Sequence, residues 1–282
     1  MALLYGEEWS RKAIYRRIGR LGQLGGVRRF EYSDGRARGL RAAEVKTGSG
    51  LNFTVLIDRA MDIGAADFDG CPLCWQSGVG PVHPSFFIPC QDNWLRTFGG
   101  GLVTTCGLSN VGPPNIDQNR EFGLHGEITA TPAENVKIDY QWNGDNLDFI
   151  IEGTLRESRV FGPEFTMKRL IWTRLGEKKL FIEDTVTNTG RTPSPLMFLY
   201  HINIGWPILG EETMLIAPTR NVTPRDDGAE KGIAEYSSFG SPEPDYKEQV
   251  FFHDMIADSA GYVQLAAINP NLKSVCFGLY VK

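Results

Sequence analysis

Residues 165–190 read FTMKRLIWTRLGEKKLFIEDTVTNTG, two runs of β-branched and aromatic residues either side of a short polar turn that contains Gly176. A glycine in so short a connection between strand-like runs signals a β-hairpin, and strands joined this tightly pair antiparallel. The same signature recurs outward from this pair. LNFTVLIDRAMDIG, NVKIDYQW, NLDFIIEGTLRES, SPLMFLYHINIGW, ETMLIAPTRNVT, GYVQLAAINP and SVCFGLYVK are rich in the same residue types and bounded by Gly, Pro, Asn or Asp. The pattern predicts an all-β sandwich or barrel. The one helix expected is in WSRKAIYRRIGRLGQL, where Ser10 is the cap and Ile14, Ile18 and Leu21 share a face.

No Pro/Gly/Ser linker or compositional break divides the 282 residues, so residues 1–282 read as a single domain. The Pro- and Asp-rich stretch 217–247 reads as a long ordered excursion from the sheet. With 41% apolar and 22% charged residues the chain has the composition of a soluble globular protein. Its net charge of -5 offers no basic surface to nucleic acid or anionic lipid. The N-terminus does not read as a leader, and no run approaches the roughly 18 apolar residues of a membrane span. Five cysteines fit reduced thiols better than a disulfide framework, and the expected location is cytoplasmic.

Several motifs carry little. Cys71-Pro-Leu-Cys74 has no second ligand pair at zinc spacing, and FGGGL at 98–102 is neither a P-loop nor GxGxxG, so a turn or bulge is expected there. No serine lies in a GxSxG elbow. The four histidines show no HxH or HExxH spacing, so no single element gathers metal ligands, and only a metal site assembled across strands stays open.

What remains is a scattered polar set. Arg59 ends an apolar run, and His201 and Asn203 alternate with apolar residues, so they project from one face of a strand. An imidazole and an amide on one wall suit hydroxyl groups. Trp75, Trp94, Trp172 and Trp206 have flat bodies and single donors that suit sugar-ring faces, although for any one of them core packing is the favoured reading. His125, between Gly123 and Gly126, is either a buried histidine bonded to a carbonyl or a ring that its glycines bring close to a ligand.

DRAMDIG, NWLRTFGGGLVTTCGLSNVG, FGLHGEITATPAENV and LYHINIGWP resemble the signature segments of the aldose 1-epimerase-like family, in the galactose mutarotase superfamily. The resemblance runs from residue 23 to residue 282 and points to a poorly characterised branch. It implies a large antiparallel β-sandwich with a shallow sugar site on a concave face. It assigns His201 as general acid toward the ring oxygen, with His125 and Arg59 binding hydroxyls and orienting the anomeric centre. Imidazole as a residue type suits such proton transfer near neutral pH.

The family's base is a glutamate near the C-terminus, beyond the strand that corresponds here to SVCFGLYVK. The chain is therefore expected to lack its C-terminal strands, and Glu248 or Asp254 are the carboxylates placed to substitute. An open sheet edge would invite a second copy, as in a homodimer. The function expected is cofactor-free mutarotation of a small-molecule sugar by acid/base ring opening. A carbohydrate-binding protein without catalysis and a metal-dependent sugar isomerase are the alternatives. For a phosphorylated sugar, Arg59, Arg96 and Arg169 are the cations that could supply charge.

Overall fold

The structure, a computed structural model, describes residues 1–117, 119–273 and 275–282. By internal contacts the chain divides into two units, one of Met1–Gly70 with Cys74–Asn203 and the other of Cys71–Leu73 with Ile204–Lys282.

In the first unit the 165–190 hairpin forms as expected. Glu164–Arg174 pairs antiparallel with Phe181–Asn188, Trp172 opposite Phe181. Gly176 turns the chain with φ 87°, and a Cβ there would lie 2.6 Å from the Leu3 amide, so only glycine fits. Asn146–Ser158 and Glu134–Asn143 extend this sheet. Period-two alternation turns Phe165, Met167, Ile171 and Thr173 inward, and Arg169 occupies the same buried row. Each buried large apolar side chain contributes about 1.5–3 kcal/mol.

A second antiparallel sheet runs in the order Met197–Ile202, Val103–Leu108, Asp62–Phe68, Leu51–Leu56, Arg41–Lys46, Gly26–Glu31. Side chains join the two sheets. Arg169 reaches the Ala60 carbonyl, and the Glu157 carboxylate accepts from the Leu108 and Ser109 amides. The result is the β-sandwich that the alternating runs anticipate.

Three features differ from the expectation. The helix covers only Arg11–Tyr15; Ser10 caps it through a 3.2 Å bond from the Ala13 amide, but of its residues Ile14 alone is buried. Arg41–Lys46 carries charges and alanines that mask its strand character. Val103–Leu108 is buried at every position, so it has no alternation to detect.

In the second unit Met214–Ile216, Val263–Ile268 and Phe277–Val281 form one sheet, and Thr219–Pro224 pairs with Phe251–Met255. The 217–247 stretch thus contains a strand, followed by a one-turn helix, Asp227–Glu230, capped by Asp226. Among the described residues no helix is long and apolar enough to cross a membrane.

Candidate functional site

His201 lies near the end of Met197–Ile202, opposite Thr104. Its Nδ1 is 2.6 Å from Asn203 Oδ1, so the two residues do share a face. The amide's orientation is fixed by its other end: Asn203 Nδ2 donates to the carbonyls of Gly101 (2.8 Å) and His201 (3.2 Å). Its oxygen must therefore be the atom facing the ring, and it accepts from Nδ1–H. Nε2 is the ring nitrogen that Asn203 does not engage, and among the described residues nothing is bonded to it.

Three rings surround His201. Phe98 stands 5.4 Å from it edge-on, His125 5.6 Å edge-on, and Trp94 6.1 Å away. Trp94 and Phe98 stack on each other at 4.3 Å. They are supplied by the short 3-10 helix Asn93–Thr97 and its following residue. Trp94 is 3% exposed, and its indole Nε1 is buried without a hydrogen-bond partner among the described residues.

His125 is half-buried, with φ 58°. Its amide donates to Gly112 O (2.9 Å), its carbonyl accepts from Gly107 N (3.0 Å), and Nδ1 accepts from Gly112 N (3.3 Å). An accepting Nδ1 puts the proton of the neutral ring on Nε2. The flanking glycines serve the backbone: a Cβ on Gly126 would meet the Asn110 carbonyl at 2.6 Å, and one on Gly123 the Cys90 amide at 3.2 Å. They let the His125 loop dock on the neighbouring strand end, which is a different task from approaching a ligand.

Arg59 is 5% exposed and sits in a tight turn whose next two residues, Ala60 and Met61, have φ 52° and 56°. Its guanidinium donates to Val82 O (3.1 Å) and Thr129 Oγ1 (3.3 Å). Burial lowers its pKa to about 10, against the pull of Asp62. It lines a recess of about 70 Å³ together with Asp62, Gln76, Thr97, Phe98 and Thr104. The histidine rings do not line this recess, but Phe98 borders both, and Thr104 is the cross-strand partner of His201. A space of that size holds a substituent or a water or two rather than a whole sugar ring.

Trp75 is 47% exposed; its amide donates to Asn203 O (2.9 Å) and its ring is 5.8 Å from Phe98. The structure thus gathers His201, His125, Asn203 and Trp75 around Phe98 and Trp94. Trp172 stacks on Phe181 at 3.9 Å as a cross-strand pair. Glu248 and Asp254 belong to the second unit, where they accept from Arg225 (3.1 Å) and Arg220 (2.8 Å). Arg169 is unavailable to an anionic sugar, because Asp184 and Asp62 already hold its buried guanidinium. Among the described residues no three His, Cys, Asp or Glu side chains converge as a metal site would require. Phe98 and Thr104 escaped the sequence reading because an apolar ring after a short 3-10 helix and a threonine in a buried strand both look like core.

A family profile described as a domain of unknown function, DUF4432, matches residues 37–282. No curated protein matches the chain. Among solved structures, a provisionally assigned aldose 1-epimerase from Klebsiella pneumoniae is 24% identical with a TM-score of 0.82, covering 87% of this chain. The chain spans 64% of that protein's length. A galactose mutarotase-like protein from Clostridium acetobutylicum is 13% identical, with a TM-score of 0.49 and coverage of 88% of this chain and 82% of its own. Galactose 1-epimerase from Lactobacillus acidophilus is 14% identical, with a TM-score of 0.45 and coverage of 73% and 60%. The chain belongs to the DUF4432 family, and its fold is the β-sandwich of aldose 1-epimerase-like proteins.

Proposed function

We propose that this chain is a cytoplasmic, cofactor-free aldose 1-epimerase-like mutarotase. The observation that carries the reading is the 2.6 Å bond from His201 Nδ1 to an amide oxygen of fixed orientation, which leaves Nε2 for proton transfer beside an aromatic wall. In the forward direction Nε2–H protonates the ring oxygen as a base removes the anomeric hydroxyl proton. The ring opens, the C1 aldehyde rotates, and reclosure on its other face returns both protons. His125 and Arg59 bind hydroxyls, and Trp75 bounds the sugar face.

The base is the open half of this chemistry. Asp62, the carboxylate lining the recess, already accepts from Thr105 N and Oγ1, Thr129 Oγ1 and Arg169 Nη1, so it is committed. Glu248 is the first candidate for the base, and Glu248→Gln tests it. The same commitment of Asp62 favours a second reading, a carbohydrate-binding protein that holds sugar without turning it over.

NMR exchange spectroscopy of anomers across free and phosphorylated aldoses separates the two. Accelerated exchange for at least one aldose is the expected result. Binding without acceleration selects the second reading, and neither binding nor acceleration overturns both.

A further inference from the structure

Arg169 occupies a position in an inward row where its neighbours at i±2 are Met167 and Ile171. Its side chain is 0% exposed. An arginine in such a row is not explained by stability, since a well-packed apolar residue of similar volume usually serves a fold as well as a buried ion pair. Its contacts supply another explanation. Nη1 donates to the Ala60 carbonyl (2.9 Å) and to Asp62 (3.3 Å), while Nε and Nη2 grip Asp184 at 2.9 and 2.7 Å. Asp184 in turn accepts from the Tyr200 hydroxyl at 2.5 Å. Ala60 follows Arg59 in the chain, and Tyr200 precedes His201.

We infer that Arg169 is the positioning residue of this site, one guanidinium from the opposite sheet that fixes the Arg59 turn with one edge and the His201 strand with the other. The inference rests on the mutarotase reading for its catalytic meaning. The Arg59 side needs such a hold. Two successive non-glycine residues with positive φ cost energy and persist only where their surroundings over-determine them. Ala60 is fixed by Arg169 at its carbonyl and by Thr131 O at its amide (3.0 Å). Gly153, directly opposite Arg169 in the sheet, makes room for the turn, because a Cβ there would collide with Met61 Sδ.

Asp62 extends the hold to the guanidinium of Arg59, through the 2.9 Å bond it accepts from Thr129 Oγ1. On the histidine side, Tyr200 and His201 alternate across the strand, so fixing the Tyr200 hydroxyl sets the strand's rotation and with it the direction of the imidazole. Burial and Asp184 push the Tyr200 phenol well above its usual range, so it remains the donor to Asp184.

The test compares Tyr200→Phe, which cuts only the histidine arm, with Arg169→Lys, which keeps the charge but loses the two-edged fork. Kinetics of anomer exchange are measured alongside the ¹H–¹⁵N signals of the His201 ring, identified by their absence in His201→Asn. Tyr200→Phe is expected to lower kcat roughly 10- to 100-fold with KM close to wild type, and to move the His201 ring signals. Arg169→Lys is expected to lower kcat and raise KM together. Folded variants with wild-type kcat, KM and ring signals would overturn the inference. If Arg169→Lys does not fold, Tyr200→Phe decides, since it leaves the ion pairs intact. If the wild type exchanges no anomers the mutarotase reading fails, and the positioning role then stands or falls on whether the ring signals move.

Discussion

Replacing Arg59 with methionine distinguishes a residue kept for binding from one kept for the fold. Arg59 is charged in both the folded and the unfolded chain at neutral pH, so the whole penalty of its depressed folded pKa is present there. A fall from 12.5 to about 10 corresponds to roughly 3 kcal/mol disfavouring the charged group. Methionine removes that penalty while keeping much of the stem's packing. Against this gain, the Val82 carbonyl loses its donor, at a cost of about 1–3 kcal/mol when buried. Thr129 keeps its bond to Asp62, and Asp62 keeps Arg169. The two effects nearly cancel, so Arg59→Met should unfold in urea within about 2 kcal/mol of wild type, with an unchanged m value. Sugar binding, followed by ligand-detected NMR, should be lost. A structural arginine behaves in the opposite way: a loss of more than about 3 kcal/mol with sugar binding intact would refute the reasoning.

Other consequences can be checked with the same protein. Burial, reinforced by Asp62, pushes the Cys106 thiol up to about 12 from an ordinary 9.0. The raised folded pKa contributes stability that is complete below pH 9 and disappears as pH rises toward 12, amounting to about 4 kcal/mol across that window. The stability of Cys106→Ala, measured by urea denaturation, should therefore fall less steeply with pH there than that of the wild type; parallel slopes would contradict this. His125→Ala should weaken sugar binding more than it lowers the melting temperature, because the backbone bonds among residues 107, 112 and 125 survive the loss of the 3.3 Å bond that the ring accepts from Gly112 N. A large thermal loss with unchanged affinity would return His125 to a structural role.

The fold was legible wherever one face of a strand is buried and the other wet. The hairpin about Gly176 and the Asn146–Ser158 strand have such alternation, and the sequence marks them closely. Val103–Leu108 lacks it because both its faces are covered. At the site, the pairing of His201 with Asn203 could be read from a spacing of two, since strand geometry enforces it. The aromatic wall and the Arg169 bridge could not, because they join residues far apart in the chain through tertiary packing. One local signal was present: an arginine at the centre of Phe165, Met167, Ile171 and Thr173 breaks an inward apolar row, and a buried charge needs partners.

The central claim is that His201 Nε2 moves the proton of ring opening. Its most direct test is the anomer exchange rate of His201→Asn, measured by NMR on an aldose that the wild type accelerates, with folding verified by its melting temperature. Asparagine keeps polarity without a transferable proton, and the account predicts a rate lower by roughly 10²–10⁴-fold in a folded protein. Exchange at the wild-type rate would contradict it.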